Sequence, residues 1–141
     1  MAAIEFFSQD IPFKLETPRK RSTWIKAVIQ KEKQSLTHLN FIFCSDEHLA
    51  KMNIDYLNHK TLTDIITFDN ADFEGEIEGD IFISIDRVKE NAQTFGVSFN
   101  QELDRVLIHG VLHLLGYGDK SPSEKAVMRK REDTYLSLRD Y

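Results

Sequence analysis

Short stretches in which apolar and polar residues alternate occur through the first two thirds of the chain. Residues 4–7 form an apolar run of β-forming residues, and residues 36–43 end in an apolar–polar alternation. Such patterns are typical of strands with one buried face. Two further β-rich runs, residues 64–68 and 80–85, are separated by an acidic turn around Gly75 and Gly79. The pattern predicts about four strands, the last two paired through that turn.

Apolar residues at helical spacing predict about five helices. Trp24 and Val28 lie on one face of the first, and cations occupy the other. Strands come mostly first and helices later, so we expect an α+β fold, with one domain over residues 1–141. The predicted helices are residues 18–34, a helix capped by Ser45, residues 86–95, a helix that begins at Ser98 or Asn100 and ends at Leu115, and a helix that begins at Ser121.

Composition is that of an ordinary folded protein. Of 141 residues, 41% are hydrophobic and 29% charged, with six Gly and three Pro, which excludes disordered and collagen-like chains. Cys44 is the single cysteine, so a disulfide-based secreted scaffold is excluded. The N-terminus has no basic segment typical of a signal peptide, and no apolar stretch approaches the roughly 18 residues of a membrane span. These features predict a cytoplasmic protein with no membrane partner.

Charge is unevenly distributed along the chain. The formal net charge of -5 argues against binding nucleic acid through bulk charge alone. Residues 14–33 contain seven cations and two carboxylates, whereas residues 69–80 contain six carboxylates and no cation. The segregation permits a polyanionic partner on the basic side. On charge alone, however, a solvated helix face and a solvated acidic turn are the favoured interpretation.

The segment with the most chemistry is residues 101–119, QELDRVLIHGVLHLLGYGD. It is apolar on almost every side, which predicts a helix buried in the middle of the fold. Glu102, Arg105, His109 and His113 follow at spacings of three, four and four residues and therefore share one face. Two histidines at i and i+4 can direct their imidazoles to one zinc ion. The segment is a candidate metal-binding helix.

A third ligand is predicted just after this helix. Gly116 ends the helix, and Asp119 brings a carboxylate three residues later, which gives the pattern H-x-x-x-H-x-x-G-x-x-D. Three protein ligands leave a fourth position for water, as in catalytic zinc sites. The alternative is a pair of hydrogen-bonded core histidines with Asp119 as a turn residue, which the combined spacing disfavours. Zinc suits the ligands, and other divalent transition metals would also fit.

The segment that begins at His109 resembles a motif of the YbeY family of metal-dependent endoribonucleases, also called rRNA maturation factors. Family members typically have the sequence H-G-x-L-H-L-x-G-Y-D-H at this place. Residues 63–68, TDIITF, are similar to the family's T-D/N-V-L-S-F, and residues 79–84, GDIFIS, to its G-D-I-x-I-S. The resemblance runs in order from about residue 39 to residue 138. In the first motif the chain supplies His109, Gly110, Leu112, His113, Leu114, Gly116 and Tyr117.

Several expectations follow from the resemblance alone. It implies a small central mixed sheet of about four strands flanked by about five helices, with the metal site on the central helix and the loop after it. It implies one zinc per chain and action on single-stranded RNA, in maturation of the 16S rRNA 3′ end and in ribosome quality control. The implied partners are rRNA and the ribosome or its small subunit, with ribosomal proteins or a GTPase as further candidates; no DNA is expected.

The chain departs from the family pattern at two places. Asp119 stands where the family has a third His, and Gly118 where it has Asp. A carboxylate can replace imidazole on zinc, so Asp119 is predicted as a ligand with altered affinity or metal preference. Leu57 stands where relatives often have an Arg, so another cation is expected to contact phosphate. Arg105 is the candidate, and a salt bridge with Glu102 is an equally compatible role.

Three further residues are candidate supports of the site. Thr63, Asp64 and Asp80 lie at predicted strand starts, where each can orient a ligand imidazole or contact substrate, or simply cap a turn. Two other functions stay open. A ribosome assembly factor with a structural metal would bind without cleaving, and a metzincin-like protease would need a Glu after the first His, where this chain has Gly110.

Overall fold

The computed structural model describes residues 3–57 and 63–141 of the chain. Four strands and five helices lie within these ranges, as predicted. None of these helices is long and apolar enough to cross a membrane. In chain order the elements are β1 (Ile4–Ser8), α1 (Pro18–Lys31), β2 (Ser35–Cys44), α2 (Asp46–Leu57), β3 (Ile65–Asp69), β4 (Glu76–Ser84), α3 (Ile85–Phe95), α4 (Phe99–Leu114) and α5 (Pro122–Leu136).

The strands form one mixed sheet in the order β1-β2-β4-β3. β1, β2 and β4 are parallel, and β3 pairs antiparallel with β4. The connections between the parallel strands are long enough to carry helices, as parallel pairing requires. β1 and β3 are therefore the edge strands. The predicted α+β fold, with a mixed four-stranded sheet and five helices, is confirmed.

The two faces of the sheet carry cores of unequal size. Phe41 of β2 and Ile81 of β4 are paired in register and fully buried in the larger core, against residues of α1, α3, α4 and α5. Side chains alternate across a strand, so Cys44 and Ile66 point to the opposite face, where they pack against Leu49 of α2. The larger core holds helix α4 against the sheet.

Helix α4 is buried along most of its length, as the sequence predicts. The Ser98 hydroxyl accepts a hydrogen bond from the backbone N–H of Gln101, so Ser98 and not Asn100 caps the helix. Gly110 marks its closest approach to the sheet, since a Cβ there would lie 2.8 Å from the side chain of Ile65 and 3.0 Å from that of Ile81. The residues on the sides of α4 are thereby fixed relative to β3.

The predicted acidic turn is present at Gly75, whose φ is 88°, but it does not extend to Gly79. β4 begins at Glu76, so Gly79 lies inside the strand, opposite Leu39 of β2 and Asp69 of β3. A Cβ at this position would lie 2.4 Å from the carbonyl oxygen of Phe68. Glycine is needed here for close backbone approach rather than for a turn.

The basic segment also differs from its prediction. α1 ends at Lys31, three residues early, and Lys33 has a left-handed backbone with φ of 59°. Arg21 is 2% exposed and pairs through Nε with Asp104 at 2.8 Å. Its charge is neutralised inside the protein, so the segment presents fewer free cations than the sequence suggests.

Candidate metal centre and active site

Helix α4 places His109 and His113 one above the other on a partly exposed side. Their Nε2 atoms lie 3.0 Å apart, and their side chains are 23% and 29% exposed. At this distance at most one of the two nitrogens carries a proton, so the pair can share one N–H···N hydrogen bond or hold a cation between them. The predicted i, i+4 pair is formed.

The loop after α4 brings Asp119 to the same point. Gly116, with φ of 106°, turns the chain back in a conformation that favours glycine. Asp119 Oδ2 then lies 3.4 Å from Nε2 of His109 and 3.4 Å from Nε2 of His113. Within the described ranges, these three residues are the one group of three His, Cys, Asp or Glu side chains found close enough together to hold a metal ion.

The triangle of ligand atoms fits a metal of zinc's size. Its sides are 3.0, 3.4 and 3.4 Å. In a tetrahedral zinc site with bonds of about 2.0 to 2.1 Å, neighbouring ligand atoms lie about 3.3 Å apart. The donor set of two imidazoles and one carboxylate suits zinc and other divalent transition metals equally. The three residues can therefore hold a metal ion without rearrangement.

Glu132 of α5 orients His109 from behind. It is 4% exposed, and its Oε2 lies 2.6 Å from Nδ1 of His109. The carboxylate accepts a hydrogen bond from Nδ1–H, which leaves the Nε2 lone pair pointing to the metal position. Burial opposes the charged form of His109, but the hydrogen bond and charge of Glu132 outweigh it and raise the pKa of the imidazole.

Arg105 holds Glu132 in turn. Its Nη1 lies 2.9 Å from Glu132 Oε1 and its Nη2 lies 2.8 Å from Asp133 Oδ1. The alternative salt bridge with Glu102 is not the one formed, because α5 offers two carboxylates in line with the guanidinium. Arg105, Glu132 and His109 make a continuous hydrogen-bonded chain that ends at the metal position.

His113 has a different environment. Burial and the neighbouring His109 lower its pKa, although Asp119 and a backbone hydrogen bond with Tyr117 act in the opposite direction. The imidazole of His113 therefore stays neutral near pH 7, which is the form that binds metal. The two ligands are held by unlike partners, a carboxylate for His109 and the backbone for His113.

Tyr117 fixes the loop that carries Asp119. Its hydroxyl donates to Glu32 Oε1 at 2.7 Å, and the hydroxyl of Tyr135 donates to the other carboxylate oxygen of Glu32. The guanidinium of Arg131 lies 5.7 Å from the centre of the Tyr117 ring. The third ligand is thus supported from the end of α1 and from α5.

Two clefts meet at the metal position, and both are lined by Asp64, His109 and Asp119. The helical cleft, about 330 Å³, lies between α3, α4 and α5 and includes Arg105 and Glu132. The strand cleft, about 590 Å³, follows the edge strand β3 on the other side and is lined by the following further residues: Thr63, Ile65, Ile66, Thr67, Asp69, His113, Leu114 and Lys120. An open metal position is therefore reached from two directions.

The structure brings some of the predicted supporting residues to the site and not others. Asp64 borders both clefts, and burial raises its pKa. Thr63 lines the strand cleft, with its hydroxyl donating to the Ile65 carbonyl at 3.1 Å. Asp80 lines neither cleft and instead accepts hydrogen bonds from Asn40 and Asn70 on the sheet.

Sequence reasoning missed Glu132, although a signal was present. Met128, Glu132 and Tyr135 are spaced by four and three residues, so the carboxylate lies on the apolar face of its helix. A carboxylate on a buried face needs a partner, which indicates a structural or functional role. The sequence does not show that this partner is His109, because 23 residues separate the two.

Two histidines and a carboxylate, accessible beside a buried helix, could hold a metal ion in the way that metallohydrolase centres do. The family model described as endoribonuclease YbeY matches residues 4–139. The chain therefore belongs to the endoribonuclease YbeY family. This confirms the resemblance seen in the sequence and the prediction of a hydrolase of the nuclease class.

Individual relatives agree over almost the whole length. The endoribonuclease YbeY of Cytophaga hutchinsonii is 54% identical over 138 residues, which are 98% of this chain and 96% of the relative. That of Amoebophilus asiaticus is 53% identical over 135 residues, 96% of this chain and 92% of the relative. The solution structure of TM1509 from Thermotoga maritima is similar with a TM-score of 0.61 and 25% identity, covering 95% of this chain and 87% of the other.

Proposed function

We propose that this protein is a zinc-dependent endoribonuclease that cleaves single-stranded RNA. The observation that carries the proposal is the triangle of ligand atoms from His109, His113 and Asp119, open to a cleft on each side. Its family supports RNA as the substrate, because the relatives are named endoribonucleases. The whole chain from residue 1 to residue 141 acts as one domain in this proposal.

The chemistry divides between the metal and the chain. When bound, zinc would supply the Lewis acidity that activates water and polarises the phosphodiester for hydrolysis. His109 and His113 would hold it through their Nε2 atoms, and Asp119 would add one negative charge that lowers the net charge of the centre. Glu132 keeps His109 in the tautomer whose Nε2 is unprotonated. Asp64 and Thr63 face the substrate from the strand side.

Arg105 contributes to this mechanism through Glu132. Both ends of its guanidinium are occupied by carboxylates, Glu132 and Asp133. A guanidinium so neutralised has little attraction left for a phosphate. Arg105 therefore acts as a positioning residue, and phosphate is contacted by cations that are free at the clefts.

The cellular role we propose is maturation of ribosomal RNA, including the 3′ end of 16S rRNA, and ribosome quality control in the cytoplasm. The partners in this role are the small ribosomal subunit, with ribosomal proteins or a GTPase as candidates for recruitment. In cells lacking the gene, we expect wild type but not His113→Ala to restore the mature 16S 3′ end. Full rescue by His113→Ala would instead favour an assembly factor that binds without cleaving.

A protease function is disfavoured by the position of Gly110. The corresponding residue of a metzincin is a catalytic Glu. Here a Cβ at Gly110 would lie 2.8 Å from Ile65 and 3.0 Å from Ile81, both in the sheet. A glutamate has no room at this position, so the base needed for peptide hydrolysis is missing.

The metal content of variants is the first test. Wild type, His113→Ala and Asp119→Ala are loaded with zinc, freed of excess metal and analysed by plasma mass spectrometry. We expect about one zinc per chain in wild type and loss in both variants. His38→Ala is the matched control, because His38 pairs with Asn40 on the sheet and lines neither cleft.

Cleavage is measured on the same samples. The substrates are end-labelled single-stranded RNA, the corresponding RNA duplex and single-stranded DNA. We expect the single-stranded RNA to be cut by wild type and His38→Ala, and cutting to stop with a chelator and resume with zinc. Wild-type cleavage by metal-free His113→Ala would contradict the proposal.

A further inference from the structure

Phe95 is an aromatic side chain that the fold leaves uncovered beside the metal centre. It follows Ile85, Val88 and Ala92 at helical spacing, and those three residues are buried in α3. By that spacing Phe95 belongs to the apolar face of the helix. It is nevertheless 61% exposed, because it lies in the last turn of α3, where it lines the helical cleft.

The helical cleft that Phe95 lines is polar rather than apolar, since it carries two arginines and the following four carboxylates: Asp64, Glu102, Asp119 and Glu132. The helical cleft also contains Asn91, an amide that can donate and accept hydrogen bonds, and Arg129. Arg129 is 62% exposed, and its nearest carboxylate is Glu132 at 3.8 Å. Unlike Arg105 in the same cleft, Arg129 has most of its guanidinium free for a phosphate.

We propose that the helical cleft is a nucleotide subsite, in which a base of the RNA strand stacks on Phe95 while Arg129 contacts a backbone phosphate. The inference rests on the proposed function and adds to it the direction in which the strand leaves the metal. His109 and Asp119 line the same cleft, so the stacked nucleotide lies next to the scissile bond. The cleft volume of about 330 Å³ is near the lower limit of small-ligand pockets.

The subsite gives a physical reason for selecting single strands. A base can stack on a side chain only after it leaves its own neighbours, which a duplex resists. Every base has a π-face, so any of the four bases can stack on Phe95. The arrangement therefore predicts a preference for unpaired RNA without a strong preference for one base at this position.

Binding of a labelled single-stranded RNA dodecamer to the full chain tests the stacking. Fluorescence anisotropy is measured with a chelator, so that the strand stays intact. We expect Phe95→Ala to weaken binding by about 5- to 150-fold and Phe95→Trp to preserve it. Phe73→Ala is the matched control, because Phe73 is 71% exposed but lines a different cleft, away from His109.

An abasic position moved along the dodecamer identifies the stacked base. In wild type, one position is expected to lose affinity by the same factor as Phe95→Ala. In Phe95→Ala, the abasic change at that position has no further effect, because the interaction is already absent. Equal further losses in wild type and in Phe95→Ala would overturn the subsite.

The phosphate contact is tested through salt dependence. Arg129→Gln is expected to reduce the slope of log affinity against log salt by about 0.7, the value for one single-strand phosphate. Lys130→Gln, which removes the same charge from an exposed neighbour outside the cleft, leaves the slope unchanged. An unchanged slope in Arg129→Gln would remove Arg129 from the subsite.

The outcomes separate this inference from the proposed function. If wild type binds and cleaves RNA and Phe95→Ala does so with the same constants, the subsite is wrong and the endoribonuclease proposal stands. If wild type neither binds nor cleaves single-stranded RNA, both fail. Circular dichroism and thermal unfolding confirm that each variant is folded, and the exposure of Phe95 makes loss of fold an unexpected result.

Discussion

A single buried carboxylate decides how the metal ligands are held. Glu132 touches both His109 and Arg105, and it is the residue through which α5 reaches the centre. A carboxylate behind a ligand imidazole fixes the ring and raises its basicity, which strengthens the bond to the metal. The metal affinity of this chain should therefore depend on a residue that is not a ligand.

Glu132→Gln is expected to weaken zinc affinity by about 10- to 100-fold without removing a ligand. The amide keeps the size of the side chain but loses the charge that pairs with Arg105 and His109. Competition with a chelating dye measures the affinity. Asp133→Asn is the matched control, since Asp133 also pairs with Arg105 but is 59% exposed and has no contact with His109. Equal affinities for wild type and Glu132→Gln would contradict the positioning role.

Asp46, at the start of α2, is a residue whose charge stabilises the fold. Its carboxylate accepts hydrogen bonds from the guanidinium of Arg87 at 2.8 Å and from the hydroxyl of Ser84. Burial opposes the charged form, but these hydrogen bonds outweigh it and lower the pKa of Asp46. A lowered folded-state pKa contributes stability above the unfolded pKa, and that stability is lost as the pH falls through the folded value.

Asp46→Asn is accordingly expected to lower the free energy of unfolding at pH 7 by about 1 to 2 kcal/mol. The difference from wild type should shrink once the pH drops below about 4, where the unfolded carboxyl takes up its proton. Urea unfolding at pH 7, 5 and 3.5 measures it. Asp55→Asn, which removes the same charge at an exposed position of α2, is the matched control. A difference that stays constant with pH would contradict the assignment.

At the scale of elements, the centre depends on how closely α4 lies against the sheet. Gly110 is next to His109, yet it faces the opposite way and packs against Ile65 and Ile81. A side chain here must displace methyl groups of Ile65 and Ile81 or push the helix from β3 and β4. Because the strand cleft lies between α4 and β3, that displacement would change the metal centre as well.

Gly110→Ala is therefore expected to destabilise the protein, although alanine favours helices. Helix propensity alone would stabilise by about 1 kcal/mol, whereas overpacking costs about 1 to 3 kcal/mol. We expect a net loss of up to about 2 kcal/mol in urea unfolding. Ala126→Gly, at an exposed position of α5, measures propensity in this protein without the packing effect. A higher unfolding temperature for Gly110→Ala would refute the close-packing argument.

At the scale of the whole molecule, a buried ionic cluster ties the two ends of the chain to α4. Asp104 is fully buried and pairs with Arg21 of α1 at 2.8 Å and with Arg139 at 2.7 Å. Tyr141 lies against both guanidiniums, 5.3 Å from that of Arg21 and 5.9 Å from that of Arg139. Helix α4 is thus braced by α1 and by the last residues of the chain.

Asp104→Ala is expected to cost about 3 to 5 kcal/mol, because it leaves the buried Arg21 without its carboxylate. Equilibrium unfolding in urea gives the change in free energy. Asp133→Ala removes an exposed carboxylate and should cost about 1 kcal/mol or less. A loss below about 1 kcal/mol for Asp104→Ala would mean that Arg21 reaches water when its partner is removed.

Local chemistry determined much of this fold. Apolar periodicity located every helix and strand, because the pattern of burial repeats with the geometry of each element. The capping box at Ser121 and Glu124 formed as predicted, since its hydrogen bonds join residues three positions apart. The metal ligands were also predictable in type and spacing, because the two histidines share one helix and Asp119 follows one short turn later.

Long-range contacts decided the rest. The partners of His109 and Arg105 come from α5, and Gly79 lies between two strands rather than in a turn. Neither contact follows a repeating spacing along the chain, so no local sequence pattern predicts it. Phe95 is a further case that local spacing cannot predict. Its spacing on α3 places it on the apolar face, but the packing of α3 on α4 leaves it exposed in a cleft. The sequence by itself determined the elements and the candidate ligands that share one helix and the turn after it. The tertiary structure determined what orients those residues and which clefts reach them, because both depend on distances between elements far apart in the chain.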